Sequence, residues 1–136
     1  SPALSACSFS MNYYVSRALE KCGRYDLAFE KVLPKWLPML ENHCTTWCED
    51  TTKAPRSECH AWSCAPLYEF SAHVLGVRAD EKGIVIAPDT GNLTFAKGTV
   101  PTRFGIVSVD WKRENGKVTV QADVPDGVEC CIIEKE

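Results

Sequence analysis

The chain has 136 residues, about the size of one ordinary domain, and 45% of them are hydrophobic, which is enough to build a core. This composition excludes a disordered chain. The net charge is −3 and Lys and Arg form no run, so nothing in the charge favours DNA or RNA as a partner. No apolar run approaches the roughly 20 residues that cross a bilayer, so a membrane is not an expected partner either.

Two helices are predicted in the first forty residues. From Ser8 to Cys22 apolar residues recur at three- and four-residue steps, and Gly23 can end this helix. A second helix then opens, and the short link between the two predicts an antiparallel hairpin. Pro34 and Pro38 are expected to bend or break the second helix. Its apolar stripe is predicted to consist of Leu27, Ala28, Val32, Leu33, Trp36, Leu37 and Leu40.

A third helix is predicted from about residue 59 to Gly76, and it carries the apolar residues Leu67, Phe70, Val74 and Leu75. After Gly76 the pattern changes to short alternating runs separated by turn signals, which predicts antiparallel strands. Asn115-Gly116 between two such runs indicates a hairpin. The predicted strands are 84–87, 93–98, 105–112, 118–124 and 128–133.

The pattern therefore predicts an α+β chain with a helical segment at 1–78 and an antiparallel β module at 79–136. The chain is also expected to be a piece of a longer protein. It starts with Ser rather than Met, and the first helical pattern begins almost at once. Three helices leave apolar surface exposed, which only further helices or a second copy of the chain would cover.

The eight cysteines leave several interpretations open. An even number suits four disulfides in a secreted domain. Cys130 and Cys131, however, are neighbours on a predicted strand and should point to opposite faces, which favours buried free thiols, as in a cytoplasmic protein. A zinc site is a further alternative, although the spacing is looser than in common zinc ribbons. Its ligands would come from His43, Cys44, Cys48, Cys59, His60 and Cys64.

The stretch from Cys44 to Phe70 concentrates polar and aromatic residues and is the candidate site. Glu49 follows Trp47 in a predicted loop. A general base in glycoside hydrolysis needs a loop carboxylate beside aromatics, because it holds a water while the aromatic wall positions the sugar ring. A solvated loop acid or a carboxylate at a helix start has the same pattern.

His60 and Trp62 lie where the third helix should begin. An imidazole at that place can bind a ligand rich in hydroxyl groups, and an indole can form a platform for it. A helix-capping histidine beside a packing tryptophan is the alternative. On the strands, Phe95, Phe104 and Trp111 either line a sugar-binding groove or belong to the core between sheets.

The order of several motifs resembles the C-terminal part of bacterial α-L-rhamnosidases. These are inverting glycoside hydrolases with an (α/α)6 barrel followed by a β-sandwich. The helical motifs are SFSMNYYVSRALEKCGRYDLA at 8–28, WLPML at 36–40, TTWCE at 45–49, RSECHAWS at 56–63, PLYE at 66–69 and LGV at 75–77. The strand motifs are IAP at 86–88, LTFAKG at 93–98, VPT at 100–102 and GIVSVDW at 105–111.

The resemblance implies a fold and a set of site residues. Residues 1–78 would be the last helices of a six-hairpin barrel, and 79–136 a small antiparallel β-sandwich. Glu49 would be the general base, His60 would contact rhamnose hydroxyls in the −1 subsite, and Trp47 and Trp62 would line the pocket. The implied partners are a rhamnose-containing glycoside or oligosaccharide and the remainder of the barrel, with no metal or cofactor.

The general acid of this family belongs to an earlier barrel segment that these residues do not contain. The chain is therefore expected to supply the base but not the acid, and to be inactive alone. The alternative hypothesis is a non-catalytic module that binds carbohydrate or a partner protein.

Overall fold

The computed structural model describes residues 7–50 and 54–134, which belong to two compact units divided between Pro66 and Leu67. This division lies earlier than the predicted boundary at residue 78, because the last helical turns before Gly76 pack with the strands that follow. The assignment of residues 1–78 to a catalytic barrel stays a prediction. Among the described helices, none is long and apolar enough to span a membrane.

The first helix, α1, spans Phe9–Lys21 and confirms the predicted one. The Ser8 hydroxyl caps its start by accepting a hydrogen bond from the Met11 N–H at 3.4 Å. Gly23, at φ +67°, ends it: the Arg24 N–H donates to the Leu19 carbonyl and the Gly23 N–H to the Glu20 carbonyl. This pair of bonds is a Schellman motif, for which glycine is the preferred residue.

The second predicted helix is divided into three short pieces. A π-helical turn covers Ala28–Val32, a 3₁₀ turn covers Leu33–Trp36, and α2 covers Leu37–Glu41. Pro34 and Pro38 stand in the first turns of the last two pieces, as their lack of an N–H favours. The predicted interruption by proline is confirmed.

Leu37 and Leu40 of the predicted stripe are 50% and 70% exposed, in line with the expectation that three helices leave apolar surface uncovered. Met39, which the stripe did not include, is buried, because π and 3₁₀ turns change the angular step between residues and shift the buried face away from a pure α-helical pattern. The buried core of this unit consists of Phe9, Val32, Trp36, Met39 and Cys48.

The third predicted helix is also interrupted. A 3₁₀ turn covers Ala61–Ser63, α3 covers Ala65–Glu69, and a π-helical turn covers Phe70–Val74. Leu67 and Phe70 are 55% and 51% exposed, whereas Val74 and Leu75 are buried. Gly76, at φ +76°, ends the segment as predicted.

Within the described part of the chain, six strands form two three-stranded sheets, with the orders β1-β2-β6 and β3-β4-β5. Their bounds are β1 Val77–Ala79, β2 Ile84–Ile86, β3 Phe95–Thr102, β4 Gly105–Glu114, β5 Lys117–Asp123 and β6 Cys130–Ile132. The α+β class is confirmed. One pairing corrects the antiparallel prediction: β6 runs parallel to β2. Strand β1 was not predicted, because three residues are too short to establish a period of two.

Strands β4 and β5 are joined by the predicted hairpin, with Asn115 at φ +52° and Gly116 at φ +83°, as a type I′ turn requires. Val107, Val109 and Trp111 form the buried side of β4, and the Trp111 indole donates a 2.7 Å hydrogen bond to the Val74 carbonyl. The core interpretation is therefore correct for Trp111. It is wrong for Phe95, which is 65% exposed on the other face of the same sheet.

Candidate functional site

The candidate site lies on two arms of one loop, residues 46–49 and 57–60, which we call the paired arms. Backbone hydrogen bonds join them: the Glu49 N–H donates to the Ser57 carbonyl at 2.9 Å, and the His60 N–H donates to the Trp47 carbonyl at 2.6 Å. The Thr46 hydroxyl donates to the Glu58 carbonyl as well. These contacts hold Glu49, the predicted general base, and His60, the residue predicted to bind the sugar, on adjacent arms of the same loop.

The Glu49 carboxylate accepts two hydrogen bonds from Arg56. The Arg56 Nε–H donates to Oε2 at 2.9 Å, and Nη2–H donates to Oε1. The Glu49 side chain is only 18% exposed, whereas that of Arg56 is 77% exposed. Hydrogen bonding to this carboxylate, and its charge, raise the pKa of the Arg56 guanidinium. Glu49 is therefore neither a freely solvated loop acid nor a carboxylate at a helix start, but one oriented through both oxygens.

His60 and Trp62 stand next to each other at the start of the 3₁₀ turn. Their ring centroids are 4.1 Å apart with an interplanar angle of 47°. His60 occupies the N-cap position, but in the described part of the chain its side chain makes no capping hydrogen bond to this turn. Trp62 is 54% exposed, so it is not buried packing behind the histidine. The two rings instead offer an imidazole and an accessible indole to a ligand.

Trp47 and Cys48 anchor the first arm on the helical core. Cys48 is buried among Phe9 and Trp36 with their neighbours, and Trp47 packs partly buried against the same cluster. On the other side, the Trp36 indole donates a 2.7 Å hydrogen bond to the Ser63 carbonyl, just beyond the second arm. The tryptophan of the second helical segment thus fixes the segment that carries His60 and Trp62.

All eight cysteines lie within the described ranges, and all are free thiols. The prediction that they are buried is correct for Cys48 alone, and Cys7, Cys22, Cys59 and Cys131 are exposed. The Cys48 and Cys44 sulfur atoms are 3.6 Å apart. Burial, together with the neighbouring Cys44 thiol, raises the pKa of Cys48.

The zinc hypothesis receives no support from residues 7–50 and 54–134. Among them no three His, Cys, Asp or Glu side chains converge as a metal site requires.

Arg56 contacts Glu49, a pairing that the sequence did not predict. The residue belongs to a motif that was noted, but the motif gave it no role. Arg56 and Glu49 are seven positions apart in a loop, and no local sequence pattern determines the path of that loop, so their contact could not be predicted. The signal in the sequence was an arginine seven residues after a glutamate within one loop, and the neighbouring Asp50 gave the arginine a second possible partner.

Residues 76–133 match the family model described as the bacterial alpha-L-rhamnosidase C-terminal domain. The resemblance to the C-terminal part of bacterial α-L-rhamnosidases is confirmed.

Three known proteins align with most of this chain, one in sequence and two in structure. It is 25% identical over 142 residues to an alpha-L-rhamnosidase of Formosa agariphila, an alignment covering 90% of this chain and 14% of that protein. The alpha-L-rhamnosidase of Dictyoglumus thermophilum has the same fold, with a TM-score of 0.77 at 24% identity over 91% of this chain and 15% of that one. The alpha-L-rhamnosidase of Streptomyces avermitilis, complexed with L-rhamnose, also has the same fold. Its TM-score is 0.77 at 20% identity, over 91% of this chain and 14% of that one. The chain therefore spans a small part of the length of each relative.

Proposed function

We propose that this chain contributes the general base to the active site of an α-L-rhamnosidase that cleaves terminal α-L-rhamnosyl bonds with inversion. The observation that carries the proposal is the Glu49 carboxylate, mostly shielded from solvent and oriented by Arg56 on the paired arms. The names of the relatives point to the same reaction and supply the sugar.

In this mechanism Glu49 accepts a proton from a water as that water attacks the anomeric carbon. The bond from this carbon to the water oxygen forms while the glycosidic carbon–oxygen bond breaks, and the leaving oxygen takes a proton from a general acid. Each Glu49 oxygen accepts one hydrogen bond from Arg56, and a carboxylate oxygen has a second lone pair that can hold the water. Attack from the face opposite the leaving group inverts the anomeric configuration.

His60, Trp62 and Trp47 form the sugar-binding part of the proposal. The imidazole of His60 hydrogen-bonds hydroxyls of the rhamnose ring in the −1 subsite. The exposed face of Trp62 and the partly buried ring of Trp47 bound the pocket on its apolar sides.

The remaining catalytic group comes from outside this chain in our proposal. An inverting pair of carboxyl groups stands about 6.5–9.5 Å apart to leave room for the water. The chain alone is therefore inactive, and the rest of the barrel completes the site. The exposed apolar side chains of Met11, Tyr14, Leu37 and Leu40 supply surface for the rest of the barrel, or for self-association of the isolated chain.

The test is hydrolysis of a chromogenic α-L-rhamnoside by this chain and by the longest natural form of the protein. Activity in the longer form alone is expected. In that form Glu49→Gln should lower kcat about 10²–10⁴-fold and leave KM nearly unchanged, because the base acts on water rather than on the sugar. Proton NMR of the first product should show the β anomer of rhamnose, and α product would contradict inversion.

The matched control is Glu58→Gln, on the opposite arm. Glu58 is exposed and its backbone carbonyl, not its side chain, accepts the Thr46 hydrogen bond. This variant should keep normal turnover. Near-normal turnover in Glu49→Gln would remove Glu49 from the mechanism.

A further inference from the structure

The outward face of the β3-β4-β5 sheet carries an open depression of about 380 Å³. Cross-strand pairing places its side chains in two parallel rows, each with one residue from every strand. The first row is Lys97, Asp110 and Gln121, and the second is Thr99, Ser108 and Asp123.

The row between these two forms the floor. It consists of Gly98, Val109 and Ala122. Because neighbouring residues on a strand point to opposite faces, this row sends its side chains into the core, where Val109 is 2% exposed. The floor is therefore backbone, and polar side chains stand on both sides of it.

The polar groups of the walls match a ligand that both donates and accepts hydrogen bonds. Lys97 donates, the two aspartates accept, and the Gln121 amide and the Thr99 and Ser108 hydroxyls do both. Lys97 Nζ lies 3.0 Å from Asp110 Oδ2, so the one cation of the rows is paired with a carboxylate of the same row. Asp123 then leaves the depression with an excess of negative charge, which disfavours anions and suits a neutral ligand rich in hydroxyl groups.

Phe95 adds an aromatic surface to the same face. It precedes Lys97 by two residues on β3, so it lies one row beyond the first wall, and it is 65% exposed. An exposed aromatic ring beside a polar depression provides the apolar contact that the C–H face of a sugar ring uses.

We propose that this face binds a neutral saccharide, with one sugar unit in the depression and a neighbouring unit or ring face against Phe95. A volume of about 380 Å³ falls within the roughly 300–1,000 Å³ of small-molecule sites, at the end that fits a monosaccharide. The inference does not rest on the proposed hydrolysis, because no residue of the paired arms takes part in it. Binding here would hold a polysaccharide on the β module whether or not Glu49 is a catalytic base.

The test is a titration of the ¹⁵N-labelled 136-residue chain with L-rhamnose, D-glucose and a neutral rhamnose-containing oligosaccharide, followed by ¹H–¹⁵N NMR. At least one of the three should shift the amide signals of the two rows, with saturation. Phe95→Ala and Asp110→Asn should each weaken that binding about tenfold or more, which corresponds to about 1.4 kcal/mol.

Two variants on the same sheet face serve as matched controls. Ile106→Ala removes an exposed apolar side chain from β4 outside the depression, and Glu114→Gln neutralises an acid of the same strand outside it. Both should bind as the unchanged chain does. The spectrum of each variant shows whether the fold is kept, and Asp123→Asn replaces Asp110→Asn if that variant fails to fold.

Three results would overturn the proposal. The first is no shift in the two rows with any of the three saccharides at 50-fold excess over the chain and at tens of millimolar, where even weak sugar sites fill. The second is binding that shifts the signals of the paired arms instead. The third is a concentration-dependent dimer in sedimentation that uses this face, since a second copy would then be its occupant. None of these results contradicts hydrolysis by the longer form, and the second would favour it, so the two proposals can fail separately.

Discussion

Arg56, which directly precedes the second of the paired arms, donates hydrogen bonds to both carboxylate oxygens of Glu49. An ion pair with so exposed a cation contributes little to stability, because solvent screens it and two long side chains must be ordered. The value of two parallel hydrogen bonds lies in geometry, since they fix the plane of the carboxylate. A base that must point one lone pair at a water depends on that plane, so we treat Arg56 as a positioning residue for Glu49.

Arg56→Lys tests this role in the longest natural form of the protein. A lysine keeps the charge but offers a single ammonium group, so it cannot hold both oxygens in one plane. We expect kcat to fall about 10- to 100-fold, because small misplacement of a catalytic group has effects of this size, and KM to change little. The measurement is steady-state hydrolysis of a chromogenic rhamnoside, with 20–100 mM guanidinium added to Arg56→Ala, which should restore part of kcat.

The control is Arg24→Lys. Arg24 makes the same two-point contact with Asp26, at 3.0 Å from Nε and 2.9 Å from Nη2, in an exposed turn outside the paired arms. This variant should keep full turnover and show no response to guanidinium. Equal kcat values for Arg24→Lys and Arg56→Lys would leave Arg56 without a positioning role.

The parts of the fold that the sequence predicted are those governed by local rules. Ser8 caps α1, Gly23 ends it, and Asn115-Gly116 turns β4 into β5, because each of these depends on a few adjacent residues. The alternation that buries Val107 and Trp111 is local too, since a strand has a period of two.

The parts that were missed depend on contacts distant in sequence. Met39 is buried because the π and 3₁₀ turns preceding it change the helical phase, which a fixed period does not predict. The parallel pairing of β2 with β6 joins residues more than forty positions apart. Of the candidate site, Glu49 and His60 were predicted as individual residues, whereas the backbone bonds that pair their arms and the contact with Arg56 needed the path of the loop.

Cys48 makes the stability of the helical unit dependent on pH. Its pKa is raised above the ordinary value of 9.0, chiefly by burial and then by the Cys44 thiol. A raised pKa in the folded state means that the unfolded chain loses this proton first as the pH rises. The contribution is therefore complete below the unfolded pKa and is lost as the pH rises through the higher pKa of the folded state, so the free energy of unfolding should fall as the pH rises above about 8.5.

Urea unfolding at a series of pH values, with reductant present, measures this dependence. Cys48→Ala should be less stable at pH 7.5 because it leaves a cavity in the core, but its free energy of unfolding should decline less steeply above pH 8.5 than that of the unchanged chain. Cys22→Ala, at an exposed position, should keep the original slope. The same slope in Cys48→Ala and in the unchanged chain would contradict the assignment to Cys48.

Gly76 is the residue at which the last helical segment passes into β1, and two constraints act on it at once. Its φ is +76°, and a Cβ atom built there would lie 2.4 Å from the carbonyl carbon of Ala87 and 2.4 Å from the nitrogen of Pro88. The conformation alone costs a non-glycine residue about 1–2 kcal/mol. The close contact adds to this cost, because both neighbouring atoms belong to the backbone. The Ala87 N–H also donates a 2.9 Å hydrogen bond to the Gly76 carbonyl, so the two segments cannot move apart without breaking it.

Gly116→Ala separates these two constraints, because Gly116 has φ +83° in the β4-β5 turn but nothing within 4 Å of the added Cβ. We expect Gly116→Ala to lower the free energy of unfolding by about 1–2 kcal/mol and Gly76→Ala by at least about 3 kcal/mol, which places the latter among the strongly destabilising substitutions. Urea unfolding of the two variants, followed by the fluorescence of buried Trp111, measures the difference. Equal losses would mean that backbone conformation accounts for both and that the strand after Gly76 yields to a methyl group. A larger loss at Gly76 would show that close backbone approach, rather than turn geometry, is what requires glycine where the helical segment meets the sheet.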